Sequence, residues 1–203
     1  MDLMSMVQRA LSGGLLDQFS RKTGADAQQT ETAASGVVNT IIGALTRNAS
    51  TEEGAGSLSN ALDRDHDGGI LDDLMDKAKA MLGGSEPTDK STDGASILKH
   101  ILGDKTSAAT EMISKSSGLD TGAIGGLMTT LAPIIMGALG KIKKSQGLDA
   151  SGVTDVLTKT VQNANQSPMM DMVSRFLDKD GDGSVLDDLA DMGSSLFGKF
   201  MKP

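Results

Sequence analysis

Asp178, Asp180 and Asp182 stand two residues apart, are followed by Gly183, Ser184 and Val185, and are backed by Asp187 and Asp188. Far upstream, Asp63, Asp65 and Asp67 precede Gly68, Gly69 and Ile70, with Asp72 and Asp73 behind them. Carboxylates at this spacing suit a hard divalent cation, which takes about six to eight oxygens at roughly 2.3–2.6 Å. Side chains at positions 1, 3 and 5 of such a stretch can wrap one point if the chain turns sharply at position 6. Glycine permits that turn. The backbone carbonyl of position 7 (Gly69 or Ser184) adds an oxygen, and the apolar residue at position 8 (Ile70 or Val185) can anchor the loop to a core. Five aspartates held close need a counter-ion, because each like-charge pair costs about 1 kcal/mol at 4 Å even in water. A solvated turn before a capped helix needs only one or two acidic residues.

These features make up the first two-thirds of an EF-hand-like loop. The last third departs: position 12, where a bidentate Glu is usual, holds Leu74 or Leu189. The closing carboxylate is then expected from Asp72 and Asp187, with Asp73 and Asp188 as alternatives. All four lie at the start of the next helix, where negative charge complements the dipole. Without the long bidentate Glu, affinity is expected on the order of 10⁻⁵–10⁻³ M. Two Ca²⁺ sites are expected, with Mg²⁺ a competitor that prefers to keep its waters. Soft metals find no ligands here.

The elements that must hold these loops are helices. The 203-residue chain has no Trp, Tyr or Cys and only four Phe, so its core must come from Leu, Ile, Val, Met and Ala. An all-α, multihelical fold follows. Disulfides, thiolate catalysis and cysteine-ligated zinc are excluded. The net charge of -8 gives no electrostatic reason to bind nucleic acid or an anionic membrane. In the first residues, Leu3, Val7, Ala10 and Leu11 fall on one helical face rather than in a signal peptide. The longest apolar run, Leu127 to Leu139, is short of the roughly 20 residues of a spanning helix and carries Pro133, so it reads as a core helix. A cytoplasmic location is the default expectation, leaderless export aside.

The acidic stretch is one part of a larger repeat. Ser20 to Asp26 (SRKTGAD) matches Ser114 to Asp120 (SKSSGLD), and without a gap Ile41 to Arg47 (IIGALTR) matches Ile135 to Lys141 (IMGALGK). Behind the acidic stretches, Leu71, Leu74, Ala78, Met81 and Leu82 correspond to Leu186, Leu189, Gly193, Leu196 and Phe197, each set on one helix face. Two tandem pseudo-repeats are therefore expected: 1–84 with its acidic loop at 63–73, a linker at 85–96, and 97–203 with its loop at 178–188. Only the second half has Gly147 to Thr160. In TGAD, SGLD and QGLD, ending at Asp26, Asp120 and Asp149, glycine closes one helix and aspartate caps the next. Helices are predicted near 95–103, 105–117, 121–131, 133–145, 150–165, 168–177 and 185–200, with a break at Pro133. In the first half, Val38 and Asn39 replace Ala132 and Pro133, so the corresponding helix is expected to run unbroken.

Ile97 to Lys105, Ser117 to Lys141 with its LAPIIMGALG segment, Gln146 to Val153 and the terminal acidic stretch together resemble the YidB-like bacterial family, a domain of unknown function. The resemblance covers Ile97 to about Phe200 and implies a multihelical fold and a bacterial source. It implies no reaction and no catalytic residue. No nucleotide loop, nucleophile elbow or metalloprotease helix is present, and His66 and His100 have no motif around them. The expectation is a non-enzymatic, calcium-binding structural or interaction protein, its partner another protein or a second copy. Two other readings stand beside it. One is a Ca²⁺ sensor that opens an apolar groove, with Met169, Met170, Met172, Met192 and Met201 as its surface. The other is a helix-turn-helix DNA binder, which lacks a basic stripe beyond Lys141 to Gln146.

Overall fold

The computed structural model describes residues 2–12, 14–65 and 93–164, and all of its regular structure is helical. In chain order the elements are α1 (Leu3–Ser12), α2 (Leu15–Thr23), α3 (Ala27–Asn48), α4 (Glu52–Asp65), α5 (Gly94–Leu102), a single 3₁₀ turn (Gly103–Lys105), α6 (Thr106–Ser117), α7 (Thr121–Gln146) and α8 (Ala150–Ala164). The first turn of α5 takes up residues 94–96, the end of the stretch read as a linker.

Local chemistry sets these boundaries. Asp26, Asp93, Asp120 and Asp149 each accept a hydrogen bond from the amide three residues on, satisfying a donor that the helix start would otherwise leave open. At Asp26 the cap is reciprocal, since Gln29 Oε1 accepts from the Asp26 amide at 3.1 Å. Asp2 does similar work for α1, accepting from the Ser5 amide at 2.9 Å and its hydroxyl at 2.6 Å. Gly24, Gly118 and Gly147 end α2, α6 and α7 at φ of 73°, 74° and 62°, a conformation that glycine adopts without the Cβ penalty.

Helices α3 and α7 pack against each other at the centre, and the remaining helices wrap them. Residues Gly36 to Thr46 of α3 and Thr130 to Gly140 of α7 are buried around the whole helix circumference. The described parts of both halves thus share one apolar core. By length and composition α7 alone among the described residues could cross a bilayer, but 72% of its most apolar window is buried within this fold. It is a core helix, as expected.

One expectation is corrected. The predicted break between 131 and 133 does not occur, and α7 runs unbroken through Pro133. Proline removes the amide that would bond the Thr129 carbonyl. That carbonyl is met from outside the helix by Gly94, the first residue of α5, so closely that a Cβ at 94 would lie 1.8 Å from the Thr129 oxygen. The neighbouring helix packs against the turn that proline leaves one bond short, and α7, buried around its circumference there, continues.

Candidate metal centre

Helix α4 carries the start of the first acidic stretch, Asp63 and Asp65. Glu52 and Glu53 occupy its first turn, and Thr51 Oγ1 accepts from the Gly54 amide at 3.1 Å. Ala55, Leu58, Ser59 and Leu62 bury one face against the bundle, Leu62 completely. The helix continues through Asp65, so Asp63 and Asp65 are both helical. Two residues in a helix stand about 200° apart around the axis. The two carboxylates accordingly leave α4 on different sides and line different depressions.

Asp63 forms an ion pair with Lys143 of α7. The Lys143 side chain is 10% exposed and that of Asp63 is 64% exposed, so the lysine is the buried partner. This pair borders a pocket of about 460 Å³ shared with Gly140, Lys144, Gly147 and Leu148. Asp65 accepts two hydrogen bonds from Arg64, from Nε at 3.0 Å and from Nη2 at 2.8 Å, and these raise the guanidinium pKa above its ordinary value. Arg64 and Asp65 line a larger cleft of about 520 Å³ between α3, α4, α5 and α7. Leu45, Leu58, Ile97 and Met136 form its apolar walls. His100 also lines that cleft; it is exposed, and its Nδ1 lies 3.0 Å from the Ser96 carbonyl oxygen one turn back.

Of the twelve residues expected to bind the cations, Asp63 and Asp65 are therefore placed, and they are not brought together. For both to reach one ion, the chain has to leave its helical path after Asp63. The other ten, Asp67, Gly69, Asp72, Asp73, Asp178, Asp180, Asp182, Ser184, Asp187 and Asp188, lie outside the described residues, as do His66 and the five methionines named with the second stretch. Among the described residues, no group of three or more His, Asp or Glu side chains could hold a metal ion. Elsewhere in the described chain Met6, Met128 and Met136 are buried and Met4 and Met112 are partly buried, which is the core-filling role.

Lys143 was missed as a partner of the acidic stretch. Its signal was present: it follows Leu139 by four and Ile142 by one, which puts a lysine on the apolar side of a core helix. Such a lysine must find a carboxylate or extend its head to water.

The family described as bacterial protein of unknown function (DUF937) matches residues 5–142. The chain belongs to this family. The DUF937 match begins in α1, passes through the first acidic stretch and ends within α7, so it takes in both central helices. The resemblance to the YidB-like family is consistent with DUF937 membership. No curated protein and no solved structure matches the chain.

Proposed function

We propose that this protein is a non-enzymatic, calcium-binding helical scaffold built from two tandem copies of one plan. In each copy a divalent cation fixes the turn between two helices and so sets how those helices pack. The observation that carries the reading is the repeated acidic stretch: carboxylates at positions 1, 3 and 5, glycine at 6, an apolar anchor at 8 and two further aspartates at 10 and 11, with the same apolar face behind both. The tandem arrangement draws support from the two turns at Gly24 and Gly118. In each, the glycine amide bonds the carbonyl four residues back, a serine hydroxyl bonds the carbonyl just past the glycine, and an aspartate caps the following helix.

The described end of the first stretch also bears on affinity. A cation there must compete with Lys143 for Asp63 and with Arg64 for Asp65, and must draw the chain out of the helix after Asp63. Each requirement lowers apparent affinity, in keeping with the weak end of such sites. A cytoplasmic setting, and a protein partner or a second copy as the object of the scaffold, belong to the same proposal.

Calorimetry of the chelator-stripped full chain with Ca²⁺ and Mg²⁺ tests it. Two sites are expected, with Ca²⁺ preferred and dissociation constants on the order of 10⁻⁵–10⁻³ M. Replacing Asp178 and Asp182 with Ala should remove one site and its share of the Ca²⁺-dependent rise in Tm. Absence of binding heat, together with an unchanged Tm in millimolar Ca²⁺, would overturn the proposal. A Ca²⁺-dependent gain in apolar-dye binding would turn it towards the sensor reading.

A further inference from the structure

We draw no further inference here: the strongest candidate, the cleft of about 520 Å³ between α3, α4, α5 and α7, carries nothing, because its Arg64 is already held by Asp65 and nothing in the structure shows what covers its apolar walls.

Discussion

The segment from α2 into α3 and the segment from α6 into α7 are alike in their turns and unlike in their fillings. Each residue of the second lies 94 positions after its counterpart, as Asp120 does after Asp26. The turns agree in their bonds, except that Gln29 caps Asp26 in return and its counterpart Ala123 cannot. Ser20 Oγ donates to the Ala25 carbonyl at 2.6 Å, and Ser114 Oγ to the Leu119 carbonyl at 2.5 Å. Thr23 and Ser117 hydroxyls donate back to the Phe19 and Ile113 carbonyls at 2.9 and 2.8 Å. Even the wholly buried stretches, 36–46 and 130–140, fall in the same register. The side chains in that register differ: Thr30 faces Ile124 in the correspondence, Val37 faces Leu131, Asn39 faces Pro133 and Thr40 faces Ile134. The turns are held by a backbone requirement with few chemical solutions. The core asks only for volume and apolar surface, which many side chains supply.

The largest expected effect tests the unlike part. Asn39 is buried in an unbroken helix, and among the described residues no group outside the helix bonds the carbonyl of Ser35. Asn39→Pro should cost about 3 kcal/mol or more in urea unfolding. Pro133→Ala should shift the same midpoint far less, because Gly94 already crowds the carbonyl that a restored amide would seek. Losing under about 1 kcal/mol at Asn39 would mean that α3 tolerates proline as α7 does, and the contrast would fall. Both variants should displace one shared transition, since the halves have a common core.

The like part comes next. Gly24→Ala and Gly118→Ala should each cost roughly 1–2 kcal/mol from the left-handed backbone alone. Gly118→Ala should cost more, because a Cβ there meets Gln29 Nε2 at 3.3 Å, whereas at Gly24 nothing lies within 4 Å. Equal shifts in Tm would show that Gln29 gives way freely.

A gain is expected third. The Thr30 and Thr40 hydroxyls are buried with no hydrogen-bond partner among the described residues, and their counterparts are isoleucines. Thr30→Val and Thr40→Val should each stabilise by about 1 kcal/mol, since an unmet buried hydroxyl is unfavourable. A loss of stability in both would indicate partners for these hydroxyls in solution.

Acid supplies the smallest effect. Hydrogen bonds from Ser5 to Asp2, from Ser96 to Asp93, and from Gly152 and Ser151 to Asp149 hold these carboxylates below their ordinary range. Because the folded pKa is the lower one, the unfolded chain takes up protons first as pH falls. Their contribution is complete above the unfolded value of about 3.9 and is lost as pH drops through the folded values. Asp93→Asn should flatten this acid limb of a Tm-against-pH curve slightly; an unaltered limb would assign the acid sensitivity elsewhere.

Much of the fold is legible in the chain because its signals are local. Gly24, Gly118 and Gly147 each sit two residues before a capping aspartate, and the helices begin and end there. The break expected at Pro133 was wrong for a non-local reason: that turn of α7 is enclosed by its neighbours, among them Gly94, which lies 39 residues earlier and announces itself by having no side chain. The candidate site was legible only as a ligand pattern. Ligand spacing says which atoms could surround an ion, but not that Asp63 already has Lys143 from the far end of α7, 80 residues on. Pairings of that kind are products of packing, and the only hint in the chain is a lysine in an apolar row.

The approach of Gly94 to the Thr129 oxygen also makes two distant positions unequal in what they accept. A residue larger than glycine at 94 has no room while α5 keeps its seat, and any residue other than proline at 133 returns that oxygen to its own helix. Position 94 should therefore be closed to any side chain, while position 133 stays open to replacement. Chimaeras made by exchanging α5 between relatives should fold only when the incoming helix begins with a residue that leaves the Thr129 oxygen its room.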